Sequence, residues 1–146
     1  MVKILIKKLS KKAVIPKYES AGASGLDVSA LIENPILIKP NEKAIIPTGL
    51  ACSVPKNYEI QIRPRSGLAA RNNLTVLNSP GTIDSDYRGE IKIILVNLGN
   101  ENFAVKNGMR IAQMVISPVK VVKIVEVESL EDTDRGKGGF GSTGIK

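Results

Sequence analysis

The sequence predicts an all-β fold of the sandwich, jelly-roll or barrel kind. Two observations carry that expectation. Apolar residues alternate with polar ones or gather in short runs, and no segment sustains the 3.6-residue period of an amphipathic helix. Gly, Pro and Asn interrupt those runs at short intervals, in IKPNE, VPKN, NLGNEN and VKNG.

Taken in order, a first strand is expected at 3–6, where KILI runs into lysines, and a second at 25–29, where Leu26 and Val28 alternate with polar neighbours. ILI at 36–38 lies between two proline-containing breaks, and 43–54 is a long stretch rich in Ile, Leu, Ala and Val. In that stretch Cys52 shares strand parity with Leu50 and Val54, so it reads as a buried thiol rather than a nucleophile. YEIQIR at 58–63 alternates strictly. The one helical turn expected follows Arg65, in SGLAARNN, with Ser66 as its cap. Further strands are expected at 74–78, 91–97, 110–117 and 119–128. Residues 78–92, with expected strands at both ends and a middle rich in Gly, Asp and Ser, read as a β-hairpin.

The 146 residues, 42% hydrophobic and 24% charged, suffice for one globular core and leave no room for a second domain. The expected division is a β domain at 1–128 and a flexible arm at 129–146. No apolar run approaches the roughly 20 residues of a membrane-spanning helix, and MVKILIKKLSKK reads as a strand running into lysines rather than a leader. A cytoplasmic location and no membrane partner are therefore expected. The single cysteine allows no intrachain disulfide, and histidine is absent. Any catalysis must then use carboxylates, hydroxyls, lysines and a metal that arrives with the substrate.

The net charge of +7 admits nucleic acid as a partner. Its distribution argues otherwise: lysines crowd the first 17 residues, and the five aromatic residues are too few for a stacking surface. A phosphate-bearing small molecule explains a positive pocket equally well. The carboxy-terminal RGKGGFGSTG holds five of the thirteen glycines. Alone it reads as a disordered tail; with a function it is an arm whose glycine amides and hydroxyls close over a phosphate.

Five patches share one explanation: ASGLDVSA, PRSGLA, SPGTIDSDYRGE, GMRIAQM and RGKGGFGSTG. In this order and at these spacings they resemble the five motifs of the trimeric dUTP diphosphatase family, over nearly the whole chain. The resemblance implies a β jelly roll, a homotrimer with three shared active sites, and hydrolysis of dUTP to dUMP and pyrophosphate. That reaction limits uracil in DNA and supplies dUMP for thymidylate synthesis. It implies that Asn78, Thr82, Ile83 and the backbone at Lys92 surround the uracil ring. Tyr87 would lie against the deoxyribose, and Asp84 would hold and deprotonate the attacking water. Arg65, Ser66, Gly67 and Gln113 would contact phosphate, together with Arg135, Phe140, Gly141, Ser142 and Thr143 of the tail.

Mg²⁺ is the implied cofactor, with Asp27 near it through water. The plainer alternatives are that Asp27 bonds a neighbouring backbone amide and that Asp84 and Asp86 are ordinary turn carboxylates. Arg110 reads as an interface or structural residue. Two other classes stay open: a related deoxycytidine triphosphate deaminase, and a non-catalytic β module that binds nucleic acid.

Overall fold

In the computed structural model, residues 2–140 and 142 are described. Their elements run β1 (Leu5–Lys8), β2 (Leu26–Ser29), β3 (Ile36–Ile38), β4 (Lys43–Ser53), β5 (Tyr58–Arg63), α1 (Ser66–Asn72), β6 (Leu74–Val76), β7 (Gly81–Ile83), β8 (Glu90–Asn97), β9 (Phe103–Val105) and β10 (Arg110–Pro118). One four-stranded sheet has the order β1-β4-β8-β6 and the other β2-β10-β5-β7, with β3 and β9 forming a small third pair. The pairings among these strands are antiparallel. Strand order departs from sequence order in both large sheets, as a jelly-roll-like sandwich requires.

The period-two pattern explains why the sheets face each other. Ile60 and Ile62 on β5, and Ile91, Ile93 and Leu95 on β8, are buried, while Arg63 and Lys92 on the intervening positions are exposed. Both inner faces contribute to one core: Ile46, Leu50, Ile91 and Ile93 from the first sheet meet Val28, Ile60, Ala112 and Met114 from the second. Each large aliphatic side chain buried this way contributes about 1.5–3 kcal/mol.

One irregularity positions the site. Between Pro47, opposite Lys92, and Ala51, opposite Glu90, strand β4 carries a bulge. Gly49 sits in it at φ +68°, and a Cβ there would overlap Leu31 Cδ2 and come within 3.1 Å of Ala13 Cβ. Thr48 Oγ1 donates to the Ile91 carbonyl at 2.6 Å, and Gly49 N–H donates to Glu90 Oε1 at 2.9 Å. The bulge thereby fixes the start of β8, where the 78–92 segment ends.

Several expectations need correction. The first strand is Leu5–Lys8, because its partners Ser53 to Leu50 on β4 set the register. The 78–92 segment is not a paired hairpin: β7 bonds to β5 in one sheet and β8 to β4 and β6 in the other, so the segment crosses between sheets. Strand β9 was not anticipated. Ser66 opens α1 but makes no side-chain cap bond, and Arg65 occupies the N-cap position instead. The strand expected at 119–128 does not form. That segment has no strand partner, and Val121, Val122 and Ile124 are 83%, 68% and 85% exposed. Cys52 is buried together with Leu50 and Val54, as its parity requires.

Candidate active site

The first group of residues surrounds a cavity of about 250 Å³ between β7 and β8. Asn78, Thr82, Ile83, Asp84, Tyr87 and Lys92 all line it, above an apolar floor of Ile62, Val76, Ile91 and Ile93. The motif resemblance implies separate roles for these six, around the base, the sugar and the water, and the fold brings all six to one cavity. The crossing of the chain from one sheet to the other opens this cleft, since β7 and β8 diverge rather than pair.

The loop from Asp84 to Glu90 is held by its own groups. Tyr87 N–H donates to the Asp84 carbonyl at 3.2 Å, closing a turn. Arg88 Nη1 donates to the carbonyls of Ser85 and Tyr87, each at 2.8 Å. Tyr87 Oη donates to the Glu90 carbonyl at 3.0 Å. Glu90 in turn is fixed by Gly49 N–H and by an ion pair with Lys92 at 3.7 Å. Asp84 is exposed beside this anchored turn and lines the cavity, so water can reach it.

The second group gathers around Asp27, which is 7% exposed. Its Oδ2 accepts from Arg110 Nη1 at 2.9 Å and lies 3.4 Å from Arg65 Nη2, and its Oδ1 accepts from Gln113 Nε2 at 3.2 Å. Arg65 Nη1 also donates to the Arg110 carbonyl at 3.2 Å. Strand pairing produces the cluster, because Asp27 on β2 stands directly opposite Gln113 on β10. Gly25 leaves room for Gln113, since a Cβ there would come within 3.2 Å of Gln113 Cβ. Ser66 is exposed at the start of α1, and the N–H groups of Ser66 and Gly67 in its first turn have no intrahelical acceptor. Two guanidiniums, an amide, a hydroxyl and free N–H groups on one surface can hold phosphate oxygens.

Asp27 therefore anchors side chains rather than a backbone amide. Both its oxygens are engaged with Arg65, Arg110 and Gln113. Among the described residues no group of three or more carboxylate, Cys or His side chains could hold a metal ion. The donor set does not fit a resident metal, and a divalent cation here would have to be carried by a phosphate ligand. Arg110, read from sequence as an interface or structural residue, is the closest partner of Asp27 and also reaches Glu19 at 3.3 Å. Glu19 carried no sequence signal; the bond from Asp27 N–H to the Lys17 carbonyl brings it near.

The tail forms local turns. Arg135 Nε donates to the Gly138 carbonyl at 2.9 Å, and Ser142 N–H donates to the Gly139 carbonyl at 3.0 Å. Phe140 is fully exposed. Gly141 and Thr143 lie outside the described residues.

Within one chain the two groups stay apart. Gln113 is paired with Arg63, whereas the β5–β7 register puts Asp84 level with Glu59, four positions along β5. Four residues of strand span about 13 Å, and the two strand spacings from β10 to β7 add about 10 Å across, so the groups are separated by about 16 Å.

Comparison with known proteins gives one consistent result. The profile of the dUTPase family matches residues 11–144. A deoxyuridine 5′-triphosphate nucleotidohydrolase of Nautilia profundicola is 55% identical over 143 residues, covering 98% of this chain and 99% of its own. One from Treponema denticola is 52% identical over 138 residues, covering 94% and 96%. Among solved structures, the Staphylococcus bacteriophage 80alpha dUTPase G164S mutant with dUpNHpp superposes with a TM-score of 0.86 at 28% identity, covering 98% of this chain and 99% of that one. By sequence along nearly its whole length, and by fold, this chain belongs to the dUTPase family.

Proposed function

We propose that this chain hydrolyses dUTP to dUMP and pyrophosphate, with Asp84 taking the proton of the attacking water. The observation that carries the reading is the convergence of Asn78, Thr82, Ile83, Asp84, Tyr87 and Lys92 on one cavity. Uracil enters between β7 and β8, where Asn78 and the strand backbone meet its polar edge. Cytosine is disfavoured because its amino group leaves buried donors unpaired. Thymine is disfavoured by its methyl group. Tyr87 covers the sugar, and water held by Asp84 attacks the α-phosphorus. The bond from that phosphorus to the bridging oxygen breaks, pyrophosphate leaves, and the proton passes to Asp84.

Arg65, Ser66, Gly67 and Gln113 bind and align the triphosphate, whose charge demands neutralisation more than covalent chemistry. A Mg²⁺ ion brought in on the triphosphate would supply part of that neutralisation. Asp27 stays in place as the tether of Arg65, Arg110 and Gln113, and would meet such an ion only through the ion's own waters.

A homotrimer whose copies share each site, one supplying the Asp84 group and another the Asp27 group, belongs to this reading. The exposed apolar residues Val121, Val122, Ile124 and Val125 give such an assembly a surface to cover. The segment 129–146, with Arg135, Phe140, Gly141, Ser142 and Thr143, closes over the bound nucleotide. A cytoplasmic location belongs to this reading. Among the described residues no helix is long and apolar enough to cross a membrane.

The test is pyrophosphate release from dUTP, dCTP, dTTP and UTP by the wild type and by Asp84→Asn. The reading expects turnover of dUTP alone, unchanged dUTP affinity in the variant, and a turnover lower by about 10²- to 10⁴-fold. Near wild-type turnover by Asp84→Asn sinks the assignment of the base. Deamination of dCTP would favour a deaminase instead.

A further inference from the structure

Tyr87 and Gly89 stand in an unusual relation. The tyrosine ring folds back along its own chain so that Oη reaches the Glu90 carbonyl at 3.0 Å, and this path runs directly over Gly89. A Cβ on Gly89 would lie 2.5 Å from Tyr87 Cζ and 2.9 Å from Cε2, and closer still to Oη. Those separations are well inside van der Waals contact, and the atoms belong to a rigid ring rather than a flexible chain end. Gly89 does not have the positive φ seen at Gly49, Gly108 and Gly136. Its backbone would accept alanine, so the ring alone requires glycine there.

We propose that Gly89 determines the enzyme's sugar specificity by seating the ring of Tyr87. The inference rests on the reading of Tyr87 as the wall against deoxyribose. The loop backbone on either side of the seat is fixed: the turn bond from Tyr87 N–H to the Asp84 carbonyl and the two bonds from Arg88 hold one side. Glu90, bonded through its side chain to Gly49 N–H, holds the other. With both sides pinned, an added methyl group cannot be relieved by moving the backbone. The ring must leave its seat and give up the bond to Glu90. A ribose differs from a deoxyribose by one oxygen atom, so displacement of the ring by about the width of a methyl group is enough to admit it. The atoms that a Cβ on Gly89 would meet first all belong to the Tyr87 ring, which makes sugar selectivity the property that Gly89 controls.

The experiment compares kcat/KM for UTP with that for dUTP in wild type, Gly89→Ala, Tyr87→Ala and the double variant. Gly89→Ala is expected to raise the UTP:dUTP ratio by about 10-fold or more. Tyr87→Ala should raise it likewise, and the double variant should match Tyr87→Ala within about twofold, because the two residues act as one unit. A raised ratio in Tyr87→Ala with a wild-type ratio in Gly89→Ala overturns the role of Gly89 and leaves that of Tyr87 standing. A full further rise when Gly89→Ala is added to Tyr87→Ala also overturns it. An unchanged ratio in Tyr87→Ala overturns the reading of Tyr87 and the inference with it. Should Gly89→Ala fail to fold, the double variant decides: folding restored by removal of the ring supports the seat, and failure to fold overturns it.

Discussion

Asp27→Asn removes the charge at the centre of the second residue group while keeping its volume. The carboxylate is nearly buried and accepts from Arg110 at 2.9 Å and Gln113 at 3.2 Å, with Arg65 at 3.4 Å. Breaking a fully buried ion pair costs about 3–5 kcal/mol. Here the arginine side chains are 27% and 45% exposed, so they recover water when the charge is lost. That moves the expected cost down to about 2 kcal/mol, in the range of a hydrogen bond to a charged group. For a chain of this size the melting temperature should fall by about 4–8 °C. The freed Arg65 and Gln113 should raise KM for dUTP by about tenfold, equivalent to roughly 1.4 kcal/mol. Urea unfolding followed by circular dichroism, at one protomer concentration for both proteins, measures the first effect. Steady-state kinetics measures the second. Stability within about 0.5 kcal/mol of wild type, together with an unchanged KM, would refute the claim that Asp27 organises the cluster.

Two further predictions test the fold and its thiol. Gly49→Ala should cost about 2–4 kcal/mol, the sum of left-handed backbone strain and overpacking against Leu31 and Ala13, read from the urea midpoint. Burial pushes the Cys52 thiol up, against a smaller opposing pull from the Arg88 guanidinium. The folded chain therefore keeps this proton to higher pH than the unfolded chain. The contribution is fully present below the unfolded thiol's value of about 8.5 and is lost as pH rises from there through the folded value. Wild type should thus lose more stability than Cys52→Ser between about pH 8 and pH 10; equal losses would contradict the buried, protonated thiol.

Much of the fold was legible in sequence because burial imposes a period of two. YEIQIR alternates strongly enough to fix both strand and inward face, IKIILVN is apolar enough to fix a strand, and Cys52 could be placed by parity with its neighbours. Which strands pair was not legible. The Gly- and Asp-rich middle of 78–92 has the composition of a hairpin, yet the ends belong to different sheets, and only the long-range pairing of β7 with β5 decides that. VKVVKIVEVE has strand propensity, but propensity forms a strand only where a partner offers its backbone groups, and within one chain none does so among the described residues.

The site divides in the same way. Asn78, Thr82, Ile83, Asp84 and Tyr87 are close in sequence, so a motif could collect them, and one cavity does. The tether between Asp27 and Arg110 joins residues 83 positions apart and follows from the β2–β10 register. The seat at Gly89 left no mark in composition, because a glycine in YRGE looks like any turn glycine until the ring above it is seen.

The claim that the two residue groups, about 16 Å apart in one chain, form one catalytic centre between copies is tested most directly by mixing two inactive variants. Asp84→Asn lacks the proposed base, and Arg65→Ala lacks a proposed phosphate ligand. Each should hydrolyse dUTP poorly alone. Unfolded together in equal amounts and refolded, they should recover about a quarter of wild-type activity, the fraction of sites that draw an intact half from each variant by random assembly. Activity no higher than the mean of the two separate variants would contradict the shared site and confine the chemistry to a single chain.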